Sequence, residues 1–147
     1  MAIGDGLCDP INMIDYGDFL FNIGLLDELD RNYFNLVQHD IKEYIKQEKY
    51  GDAFRIFDEL LNGDTTTTSS YYSNVTGFTW YFNYLLKDGP KDLNYYTHLV
   101  EKDYVRKAIH VGNLTYNDGA KVEQFLFNDV MKSVKPWVEE IIASGYK

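Results

Sequence analysis

Apolar residues along the chain recur mostly at helical spacing. After Pro10 they stand at positions 11, 14, 19, 20 and 23, which is closer to a period of 3.6 than to a period of 2. Gly24 follows, and glycine readily supplies the left-handed residue that ends a helix. The pattern therefore predicts a short helix over residues 11–23.

Two longer helices are predicted next. The second begins behind Asp27, a suitable N-cap, and its apolar stripe comprises Leu29, Tyr33, Leu36, Val37, Ile41, Tyr44 and Ile45. The third begins at Asp52 and is closed by Gly63, and its apolar side chains are Phe54, Phe57, Leu60 and Leu61. Together the three helices predict a compact helical subdomain with short links.

In the rest of the chain, loops and turns separate shorter predicted helices. Residues 64–70 are rich in Thr and Ser, whose hydroxyls compete for backbone hydrogen bonds, so they predict an exposed loop. The aromatic residues 79–86 are assigned to a helix that Asp88-Gly89-Pro90 ends. Further helices are predicted over residues 101–109, 120–131 and 133–143, the last with Pro136 in its first turn. Residues 1–3 alone suggest the tail of a strand.

Composition and charge narrow the class of protein. Hydrophobic residues make up 45% and aromatic residues 16% of the 147, which indicates a globular chain with a packed core. The net charge of −9 repels phosphate, so neither nucleic acid nor a membrane surface is expected as a partner. The apolar runs are too short to cross a bilayer, and the first residues lack the pattern of a secretory signal.

The residues offer little chemistry of their own. The chain has no Gly-x-Ser-x-Gly nucleophile elbow. Its single cysteine, Cys8, suits a thiol nucleophile or a small buried apolar residue, and the possible bases are His39, His98 and His110. His39, Asp40 and Glu43 are spaced for a metal on one helix face, and equally for a solvated face. No catalytic residue, metal or cofactor is therefore assigned.

Two triplets indicate a modification site. Asn74-Val75-Thr76 and Asn113-Leu114-Thr115 both fit the N-glycosylation sequon and stand beside turn signals. They predict glycosylation at Asn74 and Asn113 in a chain that enters the secretory pathway.

Three motifs occur in a fixed order along the chain, and this order is more specific for a protein family than any single motif. The first is AIGDGLCDP over residues 2–10, with Gly4, Asp5, Gly6, Asp9 and Pro10, and it continues as YGDFLFNIGLLD over residues 16–27. The second is Asn74-Val75-Thr76-Gly77 with the aromatic segment behind it. The third is VRKAIHVGN over residues 105–113, with His110 and Gly112, followed by NDG at 117–119 and VKPW at 134–137. Across essentially the whole chain this order resembles the serine carboxypeptidase family, especially its vitellogenic and lysosomal-type members.

The resemblance implies an α/β-hydrolase fold for the whole enzyme, with the catalytic Ser before this stretch and the catalytic Asp and His after it. The chain then matches the helical insertion, or cap, that covers the active-site cleft in relatives. Residues 1–10 would be the end of a core strand and its exit loop, residues 11–100 the cap subdomain, and residues 101–147 the helices returning to the core. The motif residues, His110 included, are then structural.

The resemblance also implies a peptide substrate for the full-length enzyme and a secreted or lysosomal location. Relatives commonly pin the cap with a disulfide between a Cys after the second motif, where Phe78 stands, and a Cys near Gln38 and Ile41. This chain has neither of the two cysteines that would form that disulfide.

Two functions remain open. The chain is either a partial serine-type carboxypeptidase, inactive alone because it lacks the triad, or a stand-alone, non-catalytic secreted helical binding module derived from the cap. In both, the expected fold class is mostly α, with at most a short strand at the N-terminus. Whether the chain forms a homodimer is left open.

Overall fold

A computed structural model describes residues 1–117 and 119–146 as a mostly helical protein. Its helices are α1 (Pro10–Met13), α2 (Gly17–Asn22), α3 (Glu28–Lys46), α4 (Tyr50–Leu61), α5 (Tyr71–Thr76), α6 (Tyr95–Val100), α7 (Asp103–Ala108), α8 (Ala120–Leu126) and α9 (Lys135–Ala143), with a 3-10 turn (Lys91–Asn94) before α6. No strand occurs among these residues, and residues 1–3 carry no regular secondary structure. The predicted mostly α fold class is confirmed.

The long helix α3 is the element against which α2 and α4 pack. Asp27 caps its start as predicted, because its Oδ1 accepts the N–H of Asp30 at 2.8 Å. The buried side chains of α3 are Phe34, Gln38, Ile41 and Ile45. The predicted stripe was therefore partly wrong: Ile41 and Ile45 are buried, but Leu29 and Leu36 are 78% and 60% exposed. The neighbouring helices cover a face centred on Phe34 and Gln38 instead.

The single helix predicted over residues 11–23 was wrong, because the chain forms two helices there. The break comes from Gln38, whose Oε1 accepts the N–H groups of Tyr16 and Gly17. These amides open α2, where no helical carbonyl is available to them. A side chain at Gly17 would collide with Asn35 of α3. Gly24 ends α2 in the left-handed region, at φ +81°, as predicted.

The helix α4 and the loop behind it also follow the prediction. Gly63, at φ +75°, ends the helix, and residues 64–70 form a bent loop without helix. The loop finishes at the buried Ser70, whose Oγ accepts the N–H of Ser73 and so caps α5. The sequence analysis did not predict α5, since only six residues carry it.

The helix predicted over residues 79–86 was wrong. The N–H groups of Thr79 and Trp80 donate to the carbonyl of Lys87, at 2.9 and 3.2 Å, and fold the segment back on itself. The rings of Tyr81 and Phe82 then stack with centroids 4.2 Å apart. Adjacent residues of a helix point about 100° apart, so a helix would lose this stacking.

The second half of the chain contributes little to the core. The helices α7, α8 and α9 lie within the predicted ranges, but α8 ends at Leu126 rather than Met131, and neither α6 nor the 3-10 turn was predicted. Of the described residues after Tyr72, Met131 is the one buried apolar residue. The core is thus formed by α1–α5 together with residues 127–131, and the proposed division at residues 10 and 100 stays a prediction.

Candidate functional site

The first and last of the sequence motifs meet in the structure. Asp9 Oδ1 accepts the hydroxyl of Ser133 at 2.8 Å, and its Oδ2 accepts Asn12 Nδ2 at 2.6 Å. Next to it, the N–H of Val134 donates to the carbonyl of Cys8 at 2.8 Å. The hydrogen bonds from Asn12 and Ser133 lower the pKa of Asp9, and the charge of Lys135 adds to them. The carboxylate of Asp9 therefore acts as an acceptor that joins two distant segments.

The Gly4-Asp5-Gly6 segment is a turn. Asp5 has φ +51°, a left-handed conformation that Asp and Asn tolerate because their short polar side chains bond locally. A side chain at Gly6 would collide with Ile3. No helix begins at this turn, so it lacks the aligned amides that bind phosphate.

The third motif forms the end of α7. His110 takes φ +60°, the N–H of Val111 reaches the carbonyl of Arg106 at 3.2 Å, and Gly112 follows at φ +60°. The guanidinium of Arg106 then closes the turn with two hydrogen bonds to the carbonyl of Gly112, at 3.2 and 2.9 Å. His110 is exposed, and it contributes to this turn through its backbone conformation rather than through its imidazole.

The two predicted glycosylation sites are at the surface. Asn74 lies on α5 with its Nδ2 donating to the carbonyl of Ser69 at 3.3 Å, and Asn113 follows the turn after α7. Both asparagines are exposed. Access of this kind is required for modification, which itself remains a prediction.

The other candidates of the sequence are not brought together. Cys8 is half-buried, while His39 and Asp40 face solvent. Glu43 pairs with Lys46 at 2.7 Å, and this hydrogen bond lowers the pKa of Glu43. Within residues 1–117 and 119–146, no group of three or more His, Cys, Asp and Glu side chains is arranged to hold a metal ion.

Three carboxyl groups that the sequence did not connect lie together. Asp58 of α4 is buried, Asp64 lies in the exposed loop that follows, and the pKa of Glu123 on α8 responds to the charges of both. Burial, then the hydrogen bond of Asp58, raises the pKa of Asp64. Burial, then the charges of Asp64 and Asp58, raises the pKa of Glu123. No periodicity relates these positions, so only the fold reveals them.

Beside these carboxyls lies an aromatic cavity of about 260 Å³. Its walls are Tyr16, Phe19, Leu20, Phe57, Leu61, Tyr72, Tyr81, Phe82 and Tyr84. Two of these rings, Phe19 and Tyr84, meet edge to face with centroids 5.9 Å apart. Tyr81 belongs to both sites: burial, together with the charges of Asp64, Asp5, Asp58 and Glu123, raises its pKa to about 12. The cavity has the size and the apolar lining that accept an apolar side chain.

Comparison with known proteins gives a consistent family. No family model and no solved structure matches the chain. The chain is 47% identical over 148 aligned residues, 100% of its own length, to the probable serine carboxypeptidase CPVL of Homo sapiens. It is 48% identical to the venom serine carboxypeptidase of Apis mellifera over 96% of its length, and 32% identical to the vitellogenic carboxypeptidase of Aedes aegypti over 97%.

In each of these alignments the chain spans 31% of the relative's length. The alignment with the human relative covers the whole chain and therefore includes all three motifs and the helices between them. The resemblance expected from the motifs is thereby confirmed, and the chain belongs to the serine carboxypeptidase family.

Proposed function

We propose that this chain is the helical part of a serine-type carboxypeptidase, an enzyme that releases C-terminal residues from peptides. The observation that carries the proposal is the 47% identity across the whole chain to a relative named as a serine carboxypeptidase. Because the chain spans only 31% of that relative and has no nucleophile elbow, it supplies no catalytic residue.

The contribution of the chain is to cover the active-site cleft of the complete enzyme. Its second half exposes large apolar side chains, among them Tyr95, Tyr104, Phe125, Trp137 and Ile142. Exposure on this scale indicates a surface that another part of a protein covers. The remaining length of the relatives is enough polypeptide to supply that cover.

The aromatic cavity is the place where this part would meet the peptide. Its aromatic lining suits an apolar substrate side chain. The enzyme is further proposed to be a secreted or lysosomal glycoprotein, on the strength of the exposed Asn74 and Asn113.

Expression of the complete polypeptide from its transcript tests the proposal. The full-length protein should release the C-terminal residue of a blocked dipeptide, and replacing the serine of its nucleophile elbow by alanine should abolish this. The isolated 147 residues should be inactive. N-glycosidase treatment of the secreted product should increase its mobility, less so in Asn74→Gln and Asn113→Gln.

Two outcomes would contradict the proposal. One is a transcript that encodes no Gly-x-Ser-x-Gly elbow in frame with this chain. The other is hydrolysis of the blocked dipeptide by the pure 147-residue protein, since its sequence contains no nucleophile elbow.

A second function rests on a separate observation. The chain has a core of its own, supplied mostly by α1–α5, with Ile14, Phe34 and Ile41 fully buried, as a stand-alone binding module would need. Such a module should unfold in one cooperative thermal transition as the isolated chain. A dye-binding state without a transition would count against it.

A further inference from the structure

An apolar cleft lies beside the turn that carries the second sequon. It has a volume of about 250 Å³. Its apolar lining is Val100, Ile109, Val111, Leu114 and Tyr116, and its polar lining is Thr115 and Asn117. Leu114 is 73% exposed and Ile109 is 51% exposed. Apolar surface of this kind is stabilised when another group covers it.

The turn holds Asn113 at the edge of this cleft. The N–H of Leu114 donates to the carbonyl of Val111 at 3.2 Å, so Gly112 and Asn113 are the two central residues of the turn. Gly112 has φ +60°, the conformation that mirror-image turns require at their first central position. Both end residues of the turn, Val111 and Leu114, line the cleft. A group attached to Asn113 therefore begins within one residue of the cleft wall.

The base of the turn is fixed from α7. The guanidinium of Arg106 donates two hydrogen bonds, at 3.2 and 2.9 Å, to the carbonyl of Gly112, the residue directly before Asn113. The N–H of Val111 donates to the carbonyl of Arg106 at 3.2 Å. Because a guanidinium presents its donors in a rigid fork, these bonds restrict the direction in which the chain enters Asn113.

One wall of the cleft is an aromatic ring that is itself held in place. The hydroxyls of Tyr116 and Tyr96 are 2.9 Å apart, and the two rings meet edge to face with centroids 5.8 Å apart. Tyr116 is 40% exposed. The C–H groups of a sugar ring pack well on such an apolar surface, while its hydroxyl and acetamido groups suit the polar side chains of Thr115 and Asn117.

The sequon Asn113-Leu114-Thr115 indicates which group covers the cleft, since two of its three residues line it. On modification, Nδ2 of Asn113 exchanges one hydrogen for a bond to C1 of N-acetylglucosamine, and the lipid-linked diphosphate donor leaves with that proton. We propose that this first sugar of an N-glycan on Asn113 lies in the cleft, with its C–H groups against Leu114 and Tyr116. The inference rests on the proposed passage of the protein through the secretory pathway.

Asn74 provides the matched control. It is exposed and belongs to a sequon, as Asn113 does. It stands on α5, however, where its Nδ2 donates to the carbonyl of Ser69 at 3.3 Å, and it is not among the residues that line the cleft. Loss of a glycan from Asn74 should therefore leave the cleft unchanged.

Hydrogen–deuterium exchange of the complete polypeptide, secreted from a host that adds high-mannose glycans, tests the inference. The protein is compared intact, after endoglycosidase H has trimmed each glycan to a single N-acetylglucosamine, and as Asn113→Gln. Residues 109–117 should exchange equally slowly in the intact and trimmed forms, because the first sugar is the one that covers the cleft. They should exchange several-fold faster in Asn113→Gln and at the wild-type rate in Asn74→Gln.

A variant of the cleft wall separates contact with the sugar from the mere presence of a glycan. Leu114→Ser preserves the sequon and, because Leu114 is 73% exposed, should not disturb folding. It should carry the glycan and yet exchange as fast as Asn113→Gln. In the trimmed wild type, nuclear Overhauser contacts should join the sugar ring to the methyl groups of Leu114.

The inference would be overturned if residues 109–117 exchanged at the same rate with and without the sugar on Asn113, or if Leu114→Ser had no effect. It would also be overturned if Asn74 were glycosylated and Asn113 were not, since another part of the polypeptide would then cover the cleft. Protection that disappears on dilution would point to a second copy of the protein instead. Absence of glycan at both positions would contradict the proposed secretory glycoprotein as well, whereas hydrolysis of the blocked dipeptide tests the carboxypeptidase activity alone.

Discussion

At the scale of single residues, the buried polar side chain of Gln38 on α3 organises the start of α2. It is 3% exposed, and one side-chain oxygen serves the two backbone amides at the start of α2. Its Nε2 donates to Asn35 at 3.1 Å, so both ends of the amide are used. A search for apolar periodicity passes over such a residue, which explains why the sequence predicted one helix where Gln38 stabilises the break between two.

Gln38→Leu should lower the free energy of unfolding by about 3 kcal/mol, because two amides at the start of α2 lose their acceptor while remaining largely buried. The measurement is the urea midpoint and slope of the purified chain, followed by circular dichroism. Gln124→Leu, the same substitution at an exposed position of α8, is the control and should change stability by less than about 0.5 kcal/mol. Equal effects of the two substitutions would show that Gln38 is not a special acceptor.

At the scale of elements, the ends of helices were easier to predict than their buried faces. Asp27 and Gly24 and Gly63 stand where their residue types cap helices, and the structure places them there. The stripe of α3 was less accurate, since which face is buried depends on where α2 and α4 lie. The helix predicted over residues 79–86 was wrong for a related reason. Its aromatic residues pack equally well in a turn, and the contacts that stabilise the turn come from Lys87 and from the cavity.

The end of α3 departs from the rule that glycine occupies the left-handed position. Glu48 has φ +59°, with its N–H reaching the carbonyl of Ile45 at 3.0 Å and the N–H of Lys49 reaching Tyr44 at 2.9 Å. Glu48→Gly should therefore raise the free energy of unfolding by about 0.5–1 kcal/mol, since relief of strain exceeds the added entropy of the unfolded chain. Thermal unfolding monitored at 222 nm, roughly the helical minimum, measures it.

The opposite substitution, Gly24→Ala, places a side chain at a left-handed position that glycine now occupies. Gly24 holds the same position at the end of α2, at φ +81°, and no atom lies within 4 Å of an added side chain. The substitution should therefore act through the backbone alone and destabilise by about 1 kcal/mol. A loss of stability in Glu48→Gly would mean that the Glu48 side chain contributes more than its backbone conformation costs.

At the scale of the whole molecule, the two halves differ in how they are held. The first half has a core, whereas the second is attached through Phe127, Val130 and Met131. Membership of the family and the mostly α fold could be predicted from the sequence, because both depend on local order along the chain. The aromatic cavity could not, because it brings together residues from four separate segments of the chain. Among the described helices, none is long and apolar enough to span a membrane.

The ring contact between Phe54 and Phe127 is one point of attachment. The centroids lie 5.3 Å apart in an edge-to-face arrangement at 83°. A double-mutant cycle with Phe54→Leu and Phe127→Leu should return a coupling of about 1 kcal/mol in the free energy of unfolding. Phe125→Leu is the control: this ring is 75% exposed and should show no coupling to Phe54. Coupling as large for Phe125 as for Phe127 would contradict the attachment.

The hydrogen bonds of Cys8 and Asp9 to Val134 and Ser133 have a consequence for how such a segment fits into a larger protein. Residues 124 positions apart come within 2.8 Å, so the chain between them departs from and returns to nearly the same point. A host fold can accommodate a long excursion of this kind between two neighbouring positions without moving its own strands. Changes of length within the excursion would then leave the spacing of its two ends, and hence the geometry of the host, untouched.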